Sequence, residues 1–249
     1  MKKIIKTGLN KAIGLFKKKN KILSEDEFYN QLFVNNPEWN TAHPNKEESL
    51  RWKIIEDKFL PHIEKHFKLN NSSKSHLDIL DLGCGRGWLS NLLSRYGNVI
   101  GIEPVKSVAE YGHLLFPGLD IRNETSDKLL EKGYKGFFDL VVCSEVIEHI
   151  PDNNKKQFIT NINMLLKPDG FAIISTPRLE ALNEWQKYSD PEQPIEDWIS
   201  EKALKEGFIN CNFKDLLLER LSIAPSSNAP DIEVYQLWLF GNSNEHKNA

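Results

Sequence analysis

The stretch ILDLGCGRGW, from Ile79 to Trp88, most constrains what this chain folds into. An apolar run ends at Asp81, and the chain then turns on three glycines before the next amphipathic segment. Glycines at such a turn adopt positive φ and let the backbone approach a ligand, while free amides at a helix start attract an anionic group. The segment therefore predicts a buried strand, a glycine-rich ligand-binding turn and a helix, with a tight loop that binds nothing as the alternative.

The spacing of these glycines separates two kinds of nucleotide ligand. A dinucleotide fingerprint GxGxxG that starts at Gly83 needs its third glycine at position 88, where this chain has Trp88. A ligand without a pyrophosphate does not require that glycine. Asp81 suits a ligand with a positive amino group, such as the methionine part of S-adenosylmethionine. The turn therefore favours S-adenosylmethionine over a nicotinamide cofactor.

A second acidic residue follows the next predicted strand. The sequence VIGIEP ends in Glu103 and Pro104, so Glu103 holds the same place after the second strand that Asp81 holds at the end of the first. A carboxylate at this place can accept two hydrogen bonds from a ribose diol. The alternative is that Glu103 only caps the following helix.

The segment FDLVVCSEVIEHIP, residues 138–151, carries the remaining candidate chemistry. Ligands of an open parallel sheet bind beyond the carboxyl ends of its strands, so Ser144 and Glu145 are expected in a cleft. Glu145, Glu148 and His149 have i, i+3, i+4 spacing and share one face of a helical turn. They could ligate a divalent cation, or His149 could take a proton from a hydroxyl, or Glu148 and His149 could merely bond the loop.

Strand and helix patterns alternate five times from Leu77 to Ser175, which predicts a parallel sheet with helices on both faces. Two further strands, near 213–222 and 233–240, have no helix between them and predict an antiparallel pair. A helix over 47–67, kinked or divided at Pro61, precedes the sheet. We therefore divide the chain into a basic amphipathic helix (1–23), a helical segment or lid (24–75), the ligand-binding domain (76–240) and a polar tail (241–249).

The net charge of −3 conceals an asymmetry. Residues 1–21 carry eight lysines and no acid, which leaves 24 basic against 35 acidic side chains in the rest, a balance of −11. Such an acidic body argues against nucleic acid as a partner. The apolar stripe within residues 1–21 could instead contact an anionic membrane surface. Three scattered cysteines, and the lack of an apolar run long enough to span a membrane, predict a cytoplasmic protein, with peripheral contact at the inner membrane surface as an addition.

Taken together, the three motifs resemble the class I S-adenosylmethionine-dependent methyltransferases over roughly residues 45–240. The EVIEH segment and STPR, residues 175–178, are similar to the UbiG-type O-methyltransferases and to many methyltransferases of bacterial glycan and natural-product clusters. They also resemble small-RNA 2′-O-methyltransferases. The resemblance implies a Rossmann-like seven-stranded sheet of order 3-2-1-4-5-7-6, with strand 7 antiparallel and an N-terminal helical extension.

The resemblance also assigns the cofactor residues. Asp81 and the turn would contact the methionine part, Glu103 would hold the ribose, and Pro104 would lie against the adenine, whose edge would meet the turn that contains Ser126. The full predicted cofactor set is Asp81, Gly83, Cys84, Gly85, Gly87, Glu103, Pro104, Ser126 and Ser144.

Metal-using relatives would add a fourth ligand, a histidine, to Glu145, Glu148 and His149. This chain has no histidine between His149 and His246, and Glu196 of PIEDWIS lies near the expected place. Either Glu196 replaces the histidine as an oxygen ligand, or the metal is absent and the loop binds the acceptor. We expect transfer without a metal.

These inferences predict O-methylation of a small molecule or of a sugar hydroxyl, with His149 and Glu145 as catalytic residues. The alternatives are a metal-dependent RNA 2′-O-methyltransferase, an N-methyltransferase of a small metabolite, and a subunit that binds S-adenosylmethionine without catalysis. Four tryptophans, Trp39, Trp52, Trp185 and Trp198, flank the expected cleft in sequence and are candidates for contact with the acceptor.

Overall fold

Seven strands form one sheet in the order β3-β2-β1-β4-β5-β7-β6. The computed structural model describes residues 23–69, 76–189 and 193–243. The strands are β1 (Leu77–Leu82), β2 (Gly97–Ile102), β3 (Asp120–Arg122), β4 (Phe138–Ser144), β5 (Leu166–Pro177), β6 (Phe213–Ile223) and β7 (Ile232–Asn242). Neighbours among β1 to β5 pair in parallel, and β7 runs antiparallel to both β5 and β6. The predicted strand order and the direction of strand 7 are confirmed.

Helices cover both faces of this sheet. They are α1 (Glu25–Asn30), α2 (Lys46–Ile54), α3 (Leu60–Leu69), α4 (Trp88–Leu93), α5 (Lys106–Leu115), α6 (Ser126–Glu131), α7 (Asp152–Leu165), α8 (Leu182–Trp185) and α9 (Glu201–Ile209). Alternate residues of β4 enter two separate cores: Leu140 and Val142 pack with α2 to α4, while Val141 and Cys143 pack with α6, α7 and α9. Because the central strands are buried on both sides, they read as continuous apolar runs.

The predicted helix over 47–67 is continuous, and its irregularity is a π-helical turn just before Pro61. A π-helical turn at Ile55–Phe59 joins α2 to α3, and Leu60 donates its N–H to the carbonyl of Ile55. Pro61 has no N–H to donate to the carbonyl four residues earlier, so the wider turn before it accommodates the missing bond.

Helix α1 and the π turn that extends it, Gln31–Asn35, lie inside the predicted helical segment of residues 24–75, but the sequence analysis did not predict their individual bounds. The signal was present, because Ser24 and Glu27 form a reciprocal capping box. Asn45 and Glu48 form the same box at the start of α2. Two capping boxes thus mark the helices of the segment from 24 to 50, which lacks a clear apolar period.

Part of the predicted division of the chain lies outside the described residues. The basic helix over 1–23 falls almost wholly there, as do residues 244–249 of the polar tail, and the domain boundaries stay predictions. None of the helices in the described ranges is long and apolar enough to cross a membrane.

Candidate active site

A cavity of about 300 Å³ lies over the carboxyl ends of β2, β1 and β4 and extends toward the start of β7. In an open α/β sheet this is the crevice where ligands bind. Predicted site residues that line it are Asp81, Gly83, Cys84, Gly85, Glu103, Pro104, Ser144, Glu145 and His149. The structure therefore brings most of the predicted cofactor set into one place.

The glycine-rich turn has the backbone that only glycine tolerates well. Gly83 has φ +76°, and a Cβ there would lie 2.4 Å from Val146 Cγ2. Gly87 has φ +87° at the start of α4, but it does not line the cavity, and a Cβ there would lie 2.6 Å from Ile121 Cδ1. The absence of a side chain at Gly83 thus lets Val146 pack against the turn. Gly87 instead lets the chain enter α4 and pack closely against Ile121.

Asp81 and Cys84 are buried in the cavity wall. Ser90 Oγ donates to Asp81 Oδ2 at 2.6 Å. Burial raises the pKa of Asp81 to about 6, against the effect of that hydrogen bond. Burial also raises the pKa of the Cys84 thiol, which therefore stays protonated at neutral pH.

Glu103 connects β2 to the glycine-rich turn. Its two oxygens accept the N–H groups of Val105 at 2.9 Å and Gly85 at 3.1 Å. Burial raises its pKa to about 7, although both bonds favour the charged form. A carboxylate has about four acceptor positions, so Glu103 keeps capacity for the two hydroxyls of a ribose.

The turn predicted to meet the adenine edge is packed into the protein instead of lining the cavity. Asn161 Nδ2 donates to Ser126 Oγ at 3.1 Å and to Asp127 Oδ1 at 2.8 Å. Pro104 does line the cavity. Asn123, just before this turn, donates to the carbonyl of Pro104 at 2.7 Å. This hydrogen bond from Asn123 therefore holds the backbone at Pro104 in place.

Glu145 is held by the end of β5. It has φ +57°, unusual for a residue other than glycine, and its N–H donates to the carbonyl of Ser175 at 3.0 Å. Ser175 Oγ in turn donates to Glu145 Oε1 at 2.7 Å and lies 2.9 Å from Ser144 Oγ. Burial raises the pKa of Glu145, and the charge of Arg51 opposes that rise.

His149 ends the short 3₁₀ turn Ile147–His149 and lines the cavity. Its Nδ1 lies 2.7 Å from the carbonyl oxygen of Ile195. A carbonyl only accepts, so the neutral ring carries its proton on Nδ1 and leaves Nε2 basic. Nε2 lies 3.7 Å from Glu148 Oε1, and Thr176 Oγ1 donates to the other oxygen of Glu148 at 2.9 Å.

The predicted metal ligands each have protein partners. Glu196 Oε1 accepts from Trp198 Nε1 at 2.9 Å, and its Oε2 accepts from the N–H of Gln193 at 3.3 Å. Within the described ranges, no cluster of three or more His, Cys, Asp and Glu side chains is arranged to hold a metal ion. The set of Glu145, Glu148, His149 and Glu196 stays a prediction.

Aromatic residues of the N-terminal segment form a roof, consisting of Tyr29, Phe33 and Trp39, over the cavity. Tyr29 and Phe33 stack with ring centroids 6.1 Å apart, and Phe33 meets Trp39 edge-on at the same distance. Tyr29 also packs edge-on against His149 at 6.0 Å. Of the four tryptophans considered above, only Trp39 is among the described residues that line the cavity.

A buried ion pair joins the glycine-rich turn to α2, the helix that follows the three roof residues in the chain. Arg86 and Glu48 form two hydrogen bonds of 2.8 and 2.7 Å. Arg86 also donates to the carbonyls of Thr41 at 2.7 Å and His43 at 3.2 Å. No spacing rule links an arginine inside a glycine-rich turn to a glutamate in a helix well before the first strand, and sequence reasoning missed this pair.

A second arginine, Arg51 of α2, also lines the cavity. Its guanidinium is 5.1 Å above the ring of Tyr235, which begins the pairing of β7 with Pro177 of β5. Glu47 accepts a 2.5 Å hydrogen bond from Arg51 Nη1. All of these side chains except Pro177 line the cavity.

The strand order, the glycine-rich turn and the acidic end of β2 define a Rossmann-like S-adenosylmethionine-dependent methyltransferase. Residues 52–218, more than half of the chain, match the family described as a methyltransferase domain, and the chain belongs to that family.

Curated relatives include ubiquinone biosynthesis O-methyltransferases. The chain is 37% identical over 119 residues to the Rickettsia typhi protein, covering 47% of this chain and 48% of the relative. It is 39% identical over 134 residues to the mitochondrial protein of Bos taurus, covering 51% of this chain and 35% of the relative. The chain thus spans about half or less of the length of these relatives.

Two solved structures illustrate the shared fold. A protein from Pyrococcus horikoshii matches with a TM-score of 0.63 at 19% identity, over 86% of this chain and 98% of that one. The 1,6-didemethyltoxoflavin-N1-methyltransferase of Burkholderia thailandensis matches with a TM-score of 0.57 at 14% identity, over 91% and 93%.

Proposed function

We propose that this methyltransferase transfers a methyl group to a hydroxyl oxygen of a small molecule, including sugars. The observation that carries the proposal is His149, which lines the cavity with its proton fixed on Nδ1 and a basic Nε2. The names of the curated relatives, O-methyltransferases of ubiquinone biosynthesis, support oxygen as the methylated atom.

The residues around the cavity fit S-adenosylmethionine, which supplies an electrophilic methyl group on a positively charged sulfur. Glu103 retains acceptor capacity for the ribose, Pro104 offers an apolar surface to the adenine, and Asp81 provides a buried carboxyl for the amino group. The lining of the described chain contains seven acidic residues against two arginines, so acidic side chains outnumber basic ones around the cavity.

His149 acts on the acceptor by taking the proton of its hydroxyl at Nε2. The carboxyl of Glu148, 3.7 Å away, stabilises the imidazolium that results. Glu145, held by Ser175, orients the acceptor hydroxyl by hydrogen bonding. A positioned base of this kind contributes roughly 10²–10⁴-fold to the rate.

The experiment is a methyl-transfer assay that detects methylated product by mass spectrometry. Phenols, sugars, primary amines and a short RNA serve as acceptors, so O-methylation, N-methylation and RNA methylation give different products. For the acceptor that reacts, His149→Gln lowers kcat by about 10²-fold or more, whereas His113→Gln, on the exposed face of α5, leaves it unchanged. Exclusive methylation of amines or of RNA, or full activity of His149→Gln, contradicts the proposal.

For residues 1–21, which lie outside the described ranges, we propose contact with an anionic membrane surface. Eight lysines without an acid, together with an apolar stripe at helical spacing, support it. The alternative is a helix that packs on the domain. Co-sedimentation with phosphatidylglycerol vesicles, compared between the full chain and a chain lacking residues 1–21, tests this proposal, and equal sedimentation contradicts it.

A further inference from the structure

We propose that Glu196 is a positioning residue, which folds the loop of residues 193–198 so that the carbonyl of Ile195 fixes the proton of His149 on Nδ1. This inference rests on the proposed function, in which His149 is the base, and it gives Glu196 a role that neither the family match nor the relatives' names assign. In this role Glu196 is neither a metal ligand nor a contact for the acceptor, the two roles considered above for its loop.

A single backbone carbonyl selects the nitrogen of His149 that carries the proton. An imidazole without such a partner ordinarily carries its proton on Nε2, and Nε2 then cannot take a proton from a hydroxyl. The carbonyl oxygen of Ile195, 2.7 Å from Nδ1, only accepts, and it therefore favours the tautomer with a basic Nε2. The place of this oxygen thus determines whether His149 is ready to act as a base.

Glu196 closes the loop that carries this carbonyl. Its Oε1 accepts from Trp198 Nε1 at 2.9 Å, and its Oε2 accepts from the N–H of Gln193 at 3.3 Å. One carboxylate thus joins the two ends of the loop, with Ile195 between them. Because a loop without such bonds gains backbone freedom, loss of the carboxylate should let the Ile195 carbonyl move away from His149.

The residues after Glu196 anchor the loop to the rest of the domain. The N–H of Asp197 donates to the carbonyl of Glu148 at 2.9 Å. Trp198 is buried, and its ring packs against that of Trp185 with centroids 6.0 Å apart. Through its bond to the N–H of Gln193, Glu196 extends this anchoring to the residues that precede it.

Gln193 in turn connects the loop to the roof. Tyr29 Oη donates to Gln193 Oε1 at 3.3 Å, and the Tyr29 ring packs edge-on against His149 at 6.0 Å. His149 is therefore held by a carbonyl at Nδ1 and by an aromatic ring. Glu196 supports both contacts, because it bonds the backbone of the residue to which Tyr29 donates.

The direct test determines the tautomer of His149 by NMR, in protein with ¹⁵N-labelled histidine at a pH where the ring is neutral. The shifts of the two ring nitrogens show which one carries the proton, and the signals missing from His149→Gln assign them. Wild-type protein should carry the proton on Nδ1. In Glu196→Ala this population should fall by about twofold or more, because the hydrogen bond no longer favours it.

Two further variants accompany this measurement. Glu196→Gln keeps an oxygen for Trp198 Nε1 but places an amide donor opposite the N–H of Gln193, so its tautomer population should lie between those of wild type and Glu196→Ala. It decides the matter should Glu196→Ala fail to fold. Glu206→Ala, which removes an exposed carboxylate of α9, is the matched control and should equal wild type.

Kinetics separate positioning from a merely structural role. With an acceptor that reacts, Glu196→Ala should lower kcat by about tenfold, less than the loss of roughly 10²-fold or more expected for His149→Gln, while both KM values stay nearly unchanged. Because Glu196 acts through His149, the double variant should be no slower than His149→Gln alone. A further loss in the double variant, or a change in KM alone, overturns the inference.

A wild-type tautomer with the proton on Nε2, or an unchanged tautomer in Glu196→Ala and Glu196→Gln, also overturns it. So does recovery of Glu196→Ala in excess Mg²⁺, Mn²⁺ or Zn²⁺, which makes Glu196 a metal ligand. These outcomes are distinct from failure of the proposed function. A tautomer that shifts in Glu196→Ala without methylation of any hydroxyl supports the positioning role and rejects the activity, whereas methylation of a hydroxyl with an unchanged tautomer does the reverse.

Discussion

Arg86 and Glu48 face each other in the interior with two hydrogen bonds of 2.8 and 2.7 Å, although they lie far apart in the sequence. Their side chains are 0% and 2% exposed. One partner belongs to the glycine-rich turn and the other to the first turn of α2, which follows the roof segment. The pair therefore joins the floor of the cavity to its cover.

Removal of one partner should destabilise the protein strongly. Glu48→Gln leaves the charge of Arg86 buried without compensation, and such a change costs roughly 3–5 kcal/mol of unfolding free energy. Urea denaturation of Glu48→Gln, Arg86→Met and the double variant measures this, and the double variant should lose less than the sum of the single changes. Glu56→Gln, which breaks the exposed pair with Arg95, is the control and should cost about 1 kcal/mol or less.

Glu103→Ala should weaken S-adenosylmethionine binding at least tenfold. The substitution removes both proposed ribose hydrogen bonds, and bonds to charged groups contribute about 1.5–3 kcal/mol each before water compensates. Calorimetric titration measures the affinity, and circular dichroism checks that the fold is intact. Glu110→Ala, on the exposed face of α5, is the matched control. Equal affinities of Glu103→Ala and wild type would show that Glu103 does not hold the ribose.

Binding of S-adenosylmethionine should strengthen as pH rises from 6 to 8. Burial raises the pKa of Asp81 to about 6 and that of Glu103 to about 7, so the free protein holds protons there that the cationic cofactor must displace. Affinity then rises by up to about tenfold per pH unit for each proton released. Titration calorimetry in buffers of different ionisation enthalpy counts these protons.

The raised pKa of Glu103 has the opposite effect on the unfolding free energy of the free protein, which should fall as pH rises. Between the unfolded and folded pKa values of Glu103, 4.5 and about 7, the folded state binds more protons than the unfolded state. The contribution of Glu103 to the unfolding free energy therefore falls as pH rises through this window. Glu103→Gln should remove the contribution of Glu103 to the pH dependence of both binding and stability, and should leave the contribution of Asp81 to binding. A flat binding profile in wild type would contradict the assignment.

Methyl transfer should persist after treatment with EDTA. His149 can act as a base without a cation, and Glu196, the predicted fourth ligand, has both oxygens bonded within its own loop. The assay compares turnover of the untreated protein, of the EDTA-treated protein, and after addition of Mg²⁺, Mn²⁺ or Zn²⁺. Loss with EDTA and recovery with one of these ions would establish metal dependence, and Glu196→Ala would then test the fourth ligand.

The sheet could be predicted from sequence because each central strand carries a local signature. The apolar runs at 77–82 and 138–143 and the glycine-rich turn report burial and backbone conformation directly, and each falls on the predicted element. The place of Asp81 and Glu103 at one edge of the sheet could also be predicted, because the carboxyl ends of parallel strands meet at the same edge.

The cover of the cavity could not be predicted in this way. Tyr29 lies in a short helix with a capping box and Phe33 in the π turn that extends it, with no clear apolar period, and the place of Phe33 over Gly85 depends on tertiary packing. The partner of Arg86 and the stacking of Arg51 on Tyr235 are contacts between residues distant in sequence, which local patterns do not encode. Ser126, which the resemblance assigned to the adenine edge, is buried and bonded to Asn161, and its role toward the cofactor stays a prediction.

The roof has a consequence for how new substrates could be acquired. Tyr29, Phe33, Trp39 and Arg51 all precede residue 52, where the family match begins. The roof residues and the matched methyltransferase domain thus occupy consecutive stretches of chain, joined by the Arg86–Glu48 pair. We expect a chimera that takes the stretch before Trp52 from a relative, and keeps Glu48 to meet Arg86, to methylate a different acceptor; an unchanged acceptor preference would show that the roof does not select it.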